Sequence, residues 1–176
     1  MNQYFNVKLS LNEDRVILSA LGKQEGGIAV NTENKVVMSL VHIERETAFR
    51  NNPKLPALPV GTNQPIQLNL FVLFACNFSA GNYSEALRFL AFVIAFFQQK
   101  GSFTHSNTPS LNTRIEKINI EMAEVAFDQL NNLWSMLGTP YMPSALYKVR
   151  MIQIDDSIIR EYRPNIEAID SNSKNL

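Results

Sequence analysis

The stretch from Ile66 to Lys100, IQLNLFVLFACNFSAGNYSEALRFLAFVIAFFQQK, decides the architecture, because its hydrophobic period changes once, near the middle. Ile66, Leu68 and Leu70 alternate with Gln67 and Asn69, after which Phe71, Val72, Leu73 and Phe74 form a wholly apolar run. Side chains on a strand alternate between two faces, so this segment starts half exposed and ends buried on both sides, as a central strand does. Asn82 followed three positions later by Glu85 has the form of a capping box, and Ser84 to Lys100 reads as a helix apolar on nearly every side. Such a helix has to be covered by the sheet and by something further, for which a neighbouring subunit is one candidate. Phe89, Phe92, Phe96 and Phe97 on it are expected in the core or a subunit interface rather than around a cofactor.

On the N-terminal side, Arg15 to Leu21 and Lys35 to Glu44 are rich in Val, Ile and Leu and are separated by the turn-prone stretch Gly22 to Asn34. The pattern predicts two strands of a hairpin. Arg45 to Pro65 then carries Pro53, Pro56, Pro59, Gly61 and Pro65, too broken by proline for a helix and too long for a tight turn, so a surface excursion is expected. On the C-terminal side, Gly101 to Thr113 reads as a second polar loop. In Ile115 to Ala126, Ile118, Ile120 and Met122 oppose Lys117, Asn119 and Glu121, the pattern of a strand with one wet face. Phe127, Leu130, Leu133, Trp134 and Leu137 fall at helical spacing, with Gly138 and Pro140 as the stop. Ala145, Tyr147, Val149 and Met151 oppose Leu146, Lys148, Arg150 and Ile152 in a last long strand that ends near Asp155.

Three strands, helix, strand, helix, strand is the order of an α+β domain, with a mixed, largely antiparallel sheet and two main helices packed on it. Residues 1–155 are expected to form this single domain and 156–176 a tail. The tail carries Ile158, Ile159, Tyr162, Ile166 and Ile169, which would be wasted in a loose terminus and are expected to dock on the same chain or on a neighbour. With Lys148 and Arg150, which share one face of the last strand, Ile158, Ile159, Tyr162 and Ile166 make up the candidate partner interface.

The chain has 176 residues, 45% of them hydrophobic, enough for one proper core. Only 18% are charged, against roughly 25% in typical soluble proteins, and a surface short of charge suits protein contacts. Sixteen basic and sixteen acidic residues balance, which removes the electrostatic case for nucleic acid or an anionic membrane. The longest apolar run, Phe89 to Phe97, is nine residues where a membrane span needs about 20. Met1 to Leu11 intersperses Asn2, Gln3, Asn6 and Lys8 among its apolar residues and so lacks the apolar core of a secretory signal.

Catalytic readings fare poorly. His42 falls inside a strand and His105 in a polar loop, no G-x-S-x-G elbow occurs, and the single cysteine, Cys76, lies in an apolar run. Neither a C-x-x-C nor an H-x-x-x-H pair exists, Asp155-Asp156 suits a turn better than an ion, and Gly26-Gly27 lacks a phosphate-binding lysine. No cofactor, metal or catalytic residue is expected. A small-molecule site under the aromatic helix is the rival reading.

Two blocks, LNLFVLFACNFSAGNYSEALRFLAFVIAFFQQKGSFTHSNTP (68–109) and FDQLNNLWSMLGTPYMPSALYKVRMIQID (127–155), together with NKVVMSLVHIERE (34–46), resemble the tail-terminator or cap proteins of extracellular contractile injection systems. The resemblance rests on N-Y-x-E-A-L, F-T-H-x-N-T-P, L-N-N-L-W and P-S-x-L-Y-K-V-R-M occurring in this order. It implies a non-enzymatic subunit that closes the tube and sheath at the end distal to the baseplate. The implied partners are further copies of itself, as a six-membered ring, and the sheath and inner-tube proteins. An adaptor between tube and cap is the alternative within the same particle. Assembly in the bacterial cytoplasm without a signal peptide, in a particle released or kept by the cell, also follows from the resemblance. Family members run through a longer helix before the first strand, and Met1 to Phe5 looks like the end of it.

Overall fold

The structure, a computed structural model, describes residues 1–10, 12–22, 28–29, 31–46 and 66–154. The expected central strand is β3 (Ile66–Asn77), flanked by β2 (Lys35–Arg45) and β6 (Ser144–Ile154), both antiparallel to it. β1 (Val16–Leu18) lies outside β2, while β5 (Lys117–Met122) and then β4 (Ser102–Thr104) lie beyond β6. The six strands follow the order β1-β2-β3-β6-β5-β4, and only β1 and β2 run parallel. Helices α1 (Asn2–Leu9), α2 (Tyr83–Gln99) and α3 (Phe127–Leu137) complete an α+β fold with a mixed, mainly antiparallel sheet, as the element order implies.

Because the central strands are apolar on both faces, the sheet supports two cores. Val36, Phe74, Cys76, Ala145 and Tyr147 point to one side, where Ala86, Phe89, Val93 and Phe97 of α2 and Phe5 of α1 pack on them. Val37, Leu73 and Ala75, their immediate neighbours in sequence, point to the other side, against Trp134 of α3, Leu21 and Met142. Alternation along β2, β3 and β6 thus fills two layers from single strands.

The partner of the all-apolar α2 is within the chain. Phe5 of α1 is fully buried; its ring stacks on Phe89 with centroids 5.7 Å apart and meets Phe92 edge-on at 6.1 Å. Tyr4 adds a contact with Phe96 at 5.3 Å. Asn2 fastens α1 to the sheet, since its carboxamide accepts from the Val16 N–H (2.8 Å) and donates to the Val16 carbonyl (2.9 Å). The helix seen in sequence only as a remnant at Met1 to Phe5 therefore runs on to Leu9.

Several expectations need correction. Arg15 to Leu21 and Lys35 to Glu44 are not a hairpin: Val16 aligns with Val36 and Leu18 with Met38 in parallel. The connection instead folds Leu21 and Ile28 onto the α3 face and buries Thr32, whose hydroxyl accepts from Asn77 Nδ2 (2.8 Å) and donates to the Ala29 carbonyl (2.7 Å). Asn82 does not cap α2 with its side chain; a 3-10 turn, Ala80–Asn82, leads straight into the helix and holds Asn82 away from the extended backbone a cap needs. Phe127, read as part of the buried stripe of α3, is 88% exposed, because the first residue of that helix points off the sheet. β4 lies within the segment read as a polar loop. The wet-faced strand is shorter than Ile115 to Ala126. Residues 47–65 and 155–176, including the proline-rich excursion and the apolar tail, lie outside the described residues.

Two irregularities break strict alternation. Between β2 and β3, Leu40 faces Val72 while His42 faces Phe71, leaving Val41 as an extra residue. Between β3 and β6 the register shifts between Leu68 and Leu70, so the simple alternation expected of the last strand does not continue past Val149.

Candidate protein-interaction surface

The face of the sheet away from α2 carries the charged residues singled out in the sequence. Lys148 sits on the α3 side of β6, because its neighbours Tyr147 and Val149 face α2. Its register partner on β3 is Phe71, and the Phe71 partner on β2 is His42. The ammonium lies 5.3 Å from the centre of the Phe71 ring and bonds Glu44 Oε1 beyond it. His42 packs against the same ring at 5.7 Å. Lys148 is thus held over an aromatic face and ion-paired across a whole strand.

Glu44 is the hub of this cluster. The bond from Lys148 holds its carboxyl below the usual carboxylate range despite partial burial, and the bond from Asn69 Nδ2 acts in the same direction. Asn69 is buried, and its Nδ2 donates to Glu44 Oε1 (3.2 Å) and Glu46 Oε2 (2.8 Å). Arg150, next along β6, pairs with Glu121 of β5 at 3.1 Å, both groups being about half exposed. Lys148 and Arg150 therefore each have a carboxylate of their own, and Arg150 is the more accessible. Ile158, Ile159, Tyr162 and Ile166 lie outside the described residues.

An apolar surface on the opposite, α2-side face of the same strands escaped the sequence reading. β1 covers only Val36 to Met38, so from Leu40 to Arg45 the outer side of β2 has no strand beside it among the described residues. Leu40 and Ile43 are each 48% exposed on that stretch, and Leu18 on β1 is 77% exposed. A half-open strand edge with apolar side chains is a template for an added strand. The signal was present only as a length mismatch between the two N-terminal strands.

An apolar crevice of about 330 Å³ runs between α2 and the sheet, lined by Met38, Val72, Phe96, Phe97, Phe103 and Val149 among others. Phe92, expected in the core or an interface, packs on Phe5 at the core's margin. Cys76 is buried, and burial pushes its thiol up to about 12, far from the range in which a thiolate nucleophile forms. His105 is exposed in the turn after β4. Among the described residues no group of three or more His, Cys, Asp or Glu converges on a point, and no helix is long and apolar enough to cross a membrane.

With this geometry in place, comparison with known proteins adds two findings. The family model described as the Pvc16 N-terminal domain matches residues 2–168. The fold also matches a solved chain described as the sheath/tube terminator, in the extended state, of PVC, an extracellular contractile injection system. That match has a TM-score of 0.57 at 14% identity and covers 99% of this chain but 62% of the other. At such identity the likeness is one of fold. No curated protein matches the sequence.

Proposed function

Because the chain belongs to the Pvc16 N-terminal domain family, we propose that it is a structural subunit terminating the tube and sheath of a contractile injection system. The observation that carries this reading is the shared fold with a sheath/tube terminator over nearly the whole of this chain. In this role it works without catalysis, as one copy in a ring, a hexamer, at the end distal to the baseplate. A ring that offers no further docking surface stops growth, and its contacts hold against the tension of an extended sheath.

The surface chemistry supports the same reading. The open side of β2 suits an extended arm from a neighbouring subunit, since strand addition satisfies backbone groups on both partners. Arg150, exposed beside Glu121, offers a guanidinium that a carboxylate on a sheath or tube subunit can share, and Lys148 is held rigidly next to it on the same face.

The test is cryo-electron microscopy of intact particles made with and without this chain. Density for it confined to one end, as a six-fold ring, with overlong or frayed tails after its deletion, is the expected result. Tails of normal length and finish without it would overturn the terminator role in favour of an adaptor or accessory subunit.

A further inference from the structure

We propose that the apolar α2-side face at the open end of the sheet is the docking site for this chain's own segment 156–169, bound in cis. Directly paired residues of an antiparallel ladder share a face. Leu40 pairs with Val72, Ile43 with Leu70, and Leu70 with Val149, so these five form one apolar surface. It is continuous with the crevice beneath α2, whose lining includes Val72 and Val149. Neither α1 nor α2 covers it fully, as the exposure of Leu40 and Ile43 records.

The occupant follows from where the chain goes next. β6 ends at Ile154, opposite Ile66, at the same end of the sheet where Arg45 pairs with Leu68. Fourteen residues extended at roughly 3.3 Å each reach up to about 46 Å, whereas the two strand spacings from β6 to β2 amount to about 10 Å. Between Ile158 and Ile169 five residues are Ile or Tyr against one proline, Pro164, while the competing segment 47–65 sets Phe49, Leu55, Leu58 and Val60 among four prolines, Pro53, Pro56, Pro59 and Pro65, that cannot donate a backbone hydrogen bond. The family match, moreover, runs to residue 168, so the segment after β6 is counted within the domain. None of this depends on ring assembly or on the terminator role.

Ile43→Cys, labelled with a maleimide–benzophenone in the full chain, tests the site, because buried Cys76 does not compete for the label. After irradiation, the expected product migrates at monomer mass and maps by peptide mass spectrometry to 156–169; Met136→Cys, exposed on α3 across the sheet and labelled identically, gives no such adduct. Leu40→Cys repeats the measurement if the first variant folds poorly. An adduct at dimer mass, an adduct mapping to 47–65, or none from either position overturns the proposal.

Discussion

The side-chain amide of Asn2 bonds both backbone groups of Val16, standing in for a neighbouring strand on the outer side of the short edge strand. Replacing it leaves a donor and an acceptor without partners at a half-closed site, which costs about 1–3 kcal/mol. Asn2→Ala should therefore lower the midpoint of urea unfolding, and α1 amides should exchange faster than those of β3. Unchanged exchange in α1 would show that the helix is held by its aromatic residues alone.

Phe5 is the second anchor of α1, fully buried between Phe89 and Phe92. Truncating a buried phenylalanine removes its transfer energy and leaves a cavity, together about 3–5 kcal/mol. Phe5→Ala is expected to destabilise the domain by that amount in equilibrium unfolding, and Phe5→Leu by much less. Equal losses for the two would point to a specific aromatic contact rather than to filled volume.

The Glu44–Lys148 pair makes stability depend on acid. Pairing holds the folded carboxyl below its ordinary value of 4.5, so its contribution is complete above that value and is lost as pH falls through the lower folded one. At neutral pH the loss in Glu44→Gln is about 1 kcal/mol or less, because the pair is partly exposed to solvent. Unfolding of wild type and variant should converge as pH drops below 4.5. A gap that stays constant down to pH ~3 would remove the ion pair as its cause.

Gly138 ends α3 with φ +63°, in open space on the side where a Cβ would lie. A substitution there meets no neighbour, so its cost is that of the left-handed backbone alone, about 1–2 kcal/mol for Ala. Gly138→Asn should cost less than Gly138→Ala, asparagine tolerating that conformation better. Thermal melts of both variants decide the order.

Legibility in the sequence tracked how local each cause was. β3, α2, α3 and β6 declared themselves through period alone, since their burial repeats within a few residues. The parallel pairing of β1 with β2 did not, because parallel and hairpin arrangements of Val16 and Val36 have the same composition and differ only in the path of the connection. α1 was half visible: Phe5 and Leu9 fall one turn apart, but Asn2, Gln3, Asn6 and Lys8 dilute the stripe, and its stability comes from Phe89 and Val16, far along the chain. At the candidate surface, Lys148 and Arg150 were visible as two charges on one face. The partner of Lys148 was not, lying 104 residues away on a strand two positions across the sheet. Phe127 shows the reverse failure, where correct spacing met a helix end that turns outward.

Val41 has an effect out of proportion to its size. By standing outside the pairing with β3, it shifts the phase of everything after it, so that Ile43 comes to the same side as Leu40 while Glu44 comes to the side of Lys148. Had Val41 taken the place opposite Phe71 instead, strict alternation would exchange the two sides: a carboxylate would face the oily layer and an isoleucine the ammonium. One strand can therefore obey two patterns in succession, and the bulge at Val41, itself packed against the α3-side core, decides which side chains reach each layer.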